Sequence, residues 1–291
     1  MNSLVIAVIA HYRQLREDRT TLFMFSLSVS DLAAGCTFMP ISAALCSRAT
    51  PEVADMVGLV PKIHAFMMWW FAFNSMHSLC WLTISKAIAI LKPFKVEQLL
   101  SHKRCYFIIG TFWVIGFVFA MINVTAISVI TWNTDVCVYR IPNERTVKAG
   151  GMTFFLIAVV LPVSLIIYCT IRIFIAVMRT HRQISALEQS VTVGNSSTGN
   201  TGLVTVQAIR SSRNVIIICI VSLLLSTPTL AIAVLDNISN TPFPDVLVFV
   251  GVWLFESNTF LNSLLYIALF KSVGQSVVHM LYAIVVYIRA R

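Results

Sequence analysis

His64–Phe94 reads HAFMMWWFAFNSMHSLCWLTISKAIAILKPF. Its apolar part is nearly thirty residues long, whereas a bilayer core of about 30 Å needs about 20 helical residues. A helix here must tilt or project beyond the core. Its outer half is aromatic, its middle carries Asn74, Ser75, His77 and Ser78, and its exit is basic at Lys86 and Lys92. Pro93 ends it, because proline lacks the amide hydrogen and clashes with the preceding turn. Two apolar segments precede this one and four follow, which makes it the third of seven.

Composition agrees. Hydrophobic residues make up 58% of the chain and charged residues 11%, against about 25% charged in a soluble domain. The chain is therefore read as an all-α membrane protein. The first segment, Asn2–Tyr12, is about half a span and predicts an N-terminally truncated first helix. Span two is Thr21–Cys46, interrupted by Asp31 and Pro40. Span four is Tyr106–Thr131, span five Gly151–Met178, span six Asn214–Leu235 and span seven Val246–Phe270. Between spans five and six, Arg179–Arg213 is polar, contains GNSSTGNTG and predicts a flexible loop. Residues 1–270 thus form the seven-helix domain. Residues 271–291 hold an apolar run short for a crossing, which predicts a helix lying in the interface.

Lysine and arginine placement orients the bundle. The loops after spans one, three and five and the tail hold fifteen, among them Arg13, Arg16, Arg19, Lys92, Lys95, Lys103 and Arg104; the opposite face holds five, Arg48, Lys62, Arg140, Arg145 and Lys148. The first set belongs in the cytoplasm, so the N-terminus is expected outside and the tail inside. The net charge of +9 is then a matter of topology, and a nucleic-acid partner is not expected. Asn237-Ile-Ser239 falls on an outer loop and is a candidate glycosylation site. The N-terminus lacks a charged leader with a small-residue cleavage site, so no cleavable signal peptide is expected.

Several chemistries find no support. The seven cysteines form no CxxC pair and no zinc-spaced cluster. The chain shows no internal repeat and no continuous polar path of the kind transporters use. A nucleophile–base set and a phosphate-binding glycine loop are also missing, so the chain is not expected to be an enzyme and no cofactor is implied.

The motifs, in order, resemble those of a class A (rhodopsin-like) G-protein-coupled receptor across nearly the whole chain. Asn2 stands at the helix-one asparagine, and Leu27-Ser-Val-Ser-Asp31-Leu is similar to LAxAD of helix two. Trp113 matches the helix-four tryptophan, Pro162 the helix-five proline, Pro228 the proline of CWxP, and Asn262-Ser-Leu-Leu-Tyr266 NPxxY. The resemblance implies a plasma-membrane receptor that binds an extracellular ligand within the bundle and signals to heterotrimeric G proteins. Its activation and G-protein face would comprise Ser85, Lys86, Ala87, Pro228, Asn262 and Tyr266.

The departures are specific. Ser85-Lys86-Ala87 replaces DRY, so the restraining carboxylate is lost and the planar arginine fork becomes a lysine. Leu225-Ser226-Thr227-Pro228 lacks the CWxP tryptophan, and Ser263 replaces the NPxxY proline. These changes keep open an alternative: a non-signalling decoy or an accessory partner of other receptors. Pro61 stands where the helix-three cysteine belongs. Cys46 with Cys137 is the candidate substitute disulfide, the other reading being two free thiols.

The resemblance also assigns sites. Asp31, Ser75, Asn258 and Asn262 correspond to the family's sodium and water network, with a sodium ion at Asp31 or a purely structural polar cluster as the two readings. Ligand-facing positions hold Met68, Trp69 and Ala72 on helix three, Phe154 and Phe155 on helix five, Thr229 on helix six, and Val252 and Glu256 on helix seven. Met68 occupies the place of the amine-receptor aspartate. Glu256 stands where opsins carry their retinal lysine, which argues against a retinal-linked photoreceptor. An ionisable residue within a span is functional by default, and Glu256 either pairs with a cationic ligand or is protonated.

Overall fold

A computed structural model describes residues 1–47, 59–126, 131–133, 138–140, 159–191, 199–238 and 244–289. The helices are α1 (Asn2–His11), α2 (Arg13–Arg16), α3 (Arg19–Cys36), α4 (Phe38–Ser47), α5 (Leu59–Leu91), α6 (Val96–Leu99), α7 (His102–Ala126), α8 (Leu161–Val191), α9 (Gly199–Ile238), α10 (Asp245–Leu269) and α11 (Lys271–Arg289). Among the described residues the sheet content is one hairpin, β1 (Thr131–Asn133) antiparallel to β2 (Val138–Arg140), with Trp132 opposite Tyr139. It lies between α7 and α8, at the end of the stretch read as span four and in the segment that follows it.

α5 is the centre. At 33 residues it is about 50 Å long, and it packs against α3, α4, α7, α8 and α9. Six described helices are long and apolar enough to cross a membrane, and α5 is not one of them. Its polar middle lowers its mean hydropathy. Because neighbouring helices cover it, it need not present a lipid-facing surface all round. Asn74 and Ser78 are both fully buried there. After Leu91 the chain turns through a short 3-10 segment, Pro93–Lys95, as the proline predicts.

The second span, read as interrupted by Asp31 and Pro40, runs unbroken through Asp31 and divides shortly before Pro40. Asp18 caps α3 by accepting the Thr20 amide at 3.0 Å. The helix then breaks at Thr37 (φ −117°, ψ −86°), whose amide bonds Ala34 O at 3.3 Å and whose hydroxyl donates to Ala33 O at 2.6 Å. Pro40 has no amide to offer the Cys36 carbonyl, so the ladder cannot run through this point. α4 then restarts at Phe38.

The expected flexible loop at Arg179–Arg213 is also corrected. α8 continues to Val191 and α9 begins at Gly199. The stretch RTHRQISALEQSV has no glycine or proline and is rich in Arg, Gln, Ala, Leu and Glu, so a helix leaving the membrane has no reason to stop there.

One buried apolar cluster joins most of the bundle. It contains Val5 and Val8 of α1, Phe23 and Leu27 of α3, Leu79 and Leu82 of α5, Ile166 of α8, Ile218 of α9, Tyr266 of α10 and Val273 of α11. Outward faces carry exposed Phe107, Val114, Phe117, Leu165, Ile171 and Phe174, as lipid-facing helices do. A hydrogen-bond chain pins α3, α5 and α7: Trp113 Nε1 donates to Ser26 Oγ at 3.0 Å, Ser26 meets Ser78 at 3.0 Å, and Trp70 Nε1 donates to the Trp113 carbonyl at 3.1 Å.

α11 turns off α10 at Phe270 and docks on α1, where the Tyr12 hydroxyl meets His279 Nδ1 at 2.8 Å. By length and composition this 19-residue helix could itself cross a membrane, so shortness is not what distinguishes it. Its one-sided burial, at Val273 and Val277, is. The corner depends on Gly274, where a Cβ would lie 2.5 Å from the Ile267 carbonyl oxygen. By contrast, a Cβ on Gly110 of α7 would meet nothing within 4 Å. Gly274→Ala is therefore expected to lower thermal stability in nanodiscs, by about 1–3 kcal/mol as overpacking does. Gly110→Ala should be neutral or stabilising, by up to about 1 kcal/mol. Equal Tm values for the two variants would contradict the close approach.

Candidate functional site

The site begins with a carboxylate that the bundle must satisfy. Asp31 lies in the interior of α3 and is 1% exposed. Its Oδ1 accepts from Ser75 Oγ of α5 at 2.9 Å, and its Oδ2 accepts from Asn262 Nδ2 of α10 at 3.3 Å. Asn262 in turn accepts from Ser222 Oγ of α9 at 3.3 Å. Asn258, one helical turn earlier on α10, donates to the Ser222 carbonyl at 3.5 Å and to Ser226 Oγ at 3.4 Å. Ser226 donates back to the Ser222 carbonyl at 2.7 Å. Four helices, α3, α5, α9 and α10, thus share one polar network.

A second polar contact joins it from α1. Asn2 Nδ2 donates to the Thr259 carbonyl at 3.0 Å, and Ser263 Oγ donates to Asn2 Oδ1. Ser263, which replaces the expected proline, is completely buried and supplies a hydroxyl that proline lacks. Between α9 and α10, Thr229 Oγ1 donates to the Gly251 carbonyl at 2.5 Å.

Between α3, α5 and α10 lies a cavity of about 30 Å³, room for about two waters or one small cation. Asp31, Ser75, Asn258 and Asn262 all line it, together with Ala72 and Glu256. Six residues that the sequence divides between an ion network and a ligand pocket therefore border one space. Phe38, Phe71 and Phe255 form much of its apolar wall. Sequence reading missed these three, since an aromatic on an apolar helix carries no sign of which way it faces. Ser222 and Ser226 were also missed as network members, although polar residues four apart on an apolar helix are a usable signal.

The remaining ligand-facing positions lie elsewhere or outside the described residues. Met68 packs against Ala34, Phe38 and Phe71. Trp69 packs toward α7, beside Val124 and Phe112. Val252 is half-buried on α10. Phe154 and Phe155, the Cys46 side chain and Cys137 fall outside the described residues. Among the described residues Cys36, Cys80, Cys105, Cys169 and Cys219 are free thiols. Asn237 lies in the last turn of α9, not in an outer loop, and its side chain is not among those described.

Toward the C-terminal end of α5, Ser85 is buried and donates to the Leu82 carbonyl of its own helix at 2.8 Å. Ala87 is buried against Cys169 and Ile173 of α8. Lys86, partly buried between them, makes no ion pair among the described residues. Just beyond the helix end Phe94 is 100% exposed between Lys92 and Lys95. The turn around it is held by Arg19 paired with Glu97 and by Arg104 bonded to the Gln98 carbonyl. On α10, Tyr266 is fully buried and its hydroxyl has no partner. Pro228 stands inside α9, where its missing amide weakens the ladder and permits bending.

Comparison with known proteins gives a family match and a set of relatives. The family described as 7 transmembrane receptor (rhodopsin family) matches residues 1–266. The D(1A) dopamine receptor of Didelphis virginiana is 26% identical over 225 residues, covering 69% of this chain and 46% of the relative. The D(1A) dopamine receptor of Xenopus laevis is 27% identical over 209 residues, 65% of this chain and 43% of the relative. The D(1B) dopamine receptor of Homo sapiens is 30% identical over 140 residues, 46% of this chain and 26% of the relative. The chain thus spans about half or less of the length of these relatives.

The network predicts a stability difference. Asn262→Ala removes a donor from Asp31 and strands the Ser222 hydroxyl; it should cost about 1–3 kcal/mol in a thermal-unfolding measurement. Ser75→Ala removes the other donor to the same carboxyl group. The pair should be non-additive by at least about 0.5 kcal/mol. Strict additivity would mean that the two side chains do not meet at Asp31.

Proposed function

The chain belongs to the rhodopsin family of seven-transmembrane receptors, and on that premise we propose that it binds an extracellular ligand within its helix bundle and signals to heterotrimeric G proteins. It is a multi-pass membrane receptor and not an enzyme. The plasma membrane is the location this reading requires. The excess of basic residues on one side supports an extracellular N-terminus.

The observation that carries the reading is the continuity of the polar network. One end borders a cavity between α3, α5 and α10. The other reaches α9 through Ser222 and Ser226, six and two residues before Pro228. A ligand that prefers one arrangement of these side chains biases the equilibrium between two bundle states, by no more than its difference in affinity for them. α9 then swings about the proline, opening a cytoplasmic cavity beside Lys86. Phe94, an exposed aromatic ring flanked by two lysines, is the natural apolar anchor for a partner at that face.

The relatives are named as dopamine receptors. In this chain Met68 stands at the position where the resemblance expects the amine-binding aspartate, so its ligand is held by other groups. A second reading, a decoy or accessory receptor, draws on the cytoplasmic end. Ser85 turns its hydroxyl into its own helix and leaves Lys86 without an ionic partner among the described residues.

Basal G-protein activation, followed by dissociation sensors in cells with confirmed surface expression, separates the readings. A signalling receptor gives a basal signal that Lys86→Ala abolishes and Phe94→Ala reduces without loss of surface expression. The double variant Ser85→Asp, Lys86→Arg should raise the signal. A surface-expressed chain that stays silent through every variant, the double variant included, is a decoy.

A further inference from the structure

The outward face of α8 carries a charge that the bundle does not match. Leu161–Thr180 is long and apolar enough to cross a membrane, and Arg172 lies within it. Its side chain is exposed, as are those of Ile171, Phe174 and Ile175 around it. Among the described residues Arg172 makes no ion pair. α8 has a single acid, Glu188, well past the apolar stretch. An arginine at the centre of a span costs about 2.5–3.5 kcal/mol, and long basic side chains relieve that cost by reaching the interface.

Packing fixes the depth of Arg172. Cys169 and Ile173, which bracket it in sequence, pack against Ala87 of α5. Arg172 therefore stands level with the basic exit of α5, where Lys86 is followed within two turns by Lys92. That level is the bilayer boundary on the basic side of the bundle, where anionic headgroups attract lysine and arginine. One turn back, Tyr168 is 56% exposed. Arg172 Nη1 donates to its hydroxyl at 2.7 Å, and the guanidinium carbon stands 5.7 Å from the ring centre. The contact holds the guanidinium and leaves donors over. Arginine has five N–H donors, and a tyrosine hydroxyl that accepts one keeps its own hydrogen. None of the remaining donors has a protein acceptor among the described residues. Arg179, also exposed, follows seven residues later, two turns on along the same face.

We propose that Tyr168 and Arg172 seat the phosphate of an anionic phospholipid against the outward face of α8, with Arg179 adding positive charge over the headgroup. Arginine meets phosphate with two parallel N–H bonds, and the tyrosine hydroxyl donates to one of the same oxygens. Ile171 and Ile175, at three and seven positions from Tyr168, complete the face and meet the acyl chains. A zwitterionic headgroup brings its own ammonium, which competes with the arginine for the phosphate; an anionic one leaves its charge to the protein. The seat lies on the lipid side of the bundle, so it works in the same way in a signalling receptor and in a decoy.

The test uses the whole chain in phosphatidylcholine nanodiscs, with phosphatidylglycerol as the probe. Tm is measured as the phosphatidylglycerol fraction rises, at constant salt, because salt screens exposed charge. Tm should rise and saturate, as with a ligand selective for the folded state. Arg172→Gln should lose most of the rise and Tyr168→Phe part of it. Arg172→Lys should also lose part, since lysine keeps the charge and gives up the planar fork. Arg16→Gln removes the same charge from an exposed position on the same side of the bundle and should keep the full rise. No rise in the unsubstituted chain overturns the proposal. Equal losses in Arg16→Gln and Arg172→Gln overturn it as well, because they mark a diffuse attraction and not a seat. A rise of unchanged size in Arg172→Gln has the same force; where that variant fails to fold, an unchanged rise in the double variant Arg172→Lys, Tyr168→Phe decides against the seat.

Discussion

A carboxyl group in the middle of an apolar bundle sets the terms for everything around it. Left alone, an ionised carboxylate in a low-dielectric interior costs far more than a domain's net stability. Asp31 survives in α3 because α5 sends Ser75 to one oxygen and α10 sends Asn262 to the other. Neither donor works unless its helix has the right rotation and height. The hydrogen bonds therefore do what apolar packing in lipid does poorly, which is to specify register. Hydrophobic side chains slide past one another at little cost where lipid is as apolar as the core. The Asn2 contact to α10 extends the same logic to α1.

The other organising fact is the position of α5. It touches α3, α4, α7, α8 and α9, so its polar residues face protein rather than lipid. This arrangement explains why the helix that decides the fold is the one whose mean hydropathy falls short of a membrane span. A helix covered by its neighbours needs complementary partners, not a uniform apolar surface. Ser26, Ser78, Trp70 and Trp113 illustrate this, since each polar group in that cluster finds its partner on a different helix.

Much of this was legible in the sequence, and for identifiable reasons. Asp31, Ser75, Asn258 and Asn262 could be grouped because polar residues inside spans are rare and must find each other. The helix end at Pro93 followed from the chemistry of one residue. The direction of Trp69 was not legible. One step of 100° around a helix separates a cavity wall from a helix–helix contact, and only the placement of α7 decides between them. The break at Thr37 was half visible, in Pro40, but the residue that absorbs the turn lies three positions earlier. The long polar extensions of α8 and α9 were hidden because polarity alone does not distinguish a solvated helix from a loop. The exposed Phe94 was in view but unreadable, since burial is a property of the fold and not of the residue.

Ser226 shows how the departures from the family pattern fit together. It stands where the resemblance expects a tryptophan, and its hydroxyl both accepts from Asn258 and donates to the Ser222 carbonyl. A tryptophan indole carries one donor and no acceptor, so it could not take both roles. A bulky ring transmits motion by steric contact, whereas a serine transmits it through a network whose members must all be satisfied at once. In such a network every member's partner choice depends on its neighbour's. Hydrogen bonding to Ser222 and Ser226 joins Asn258 and Asn262, which line the cavity, to the helix that carries Pro228.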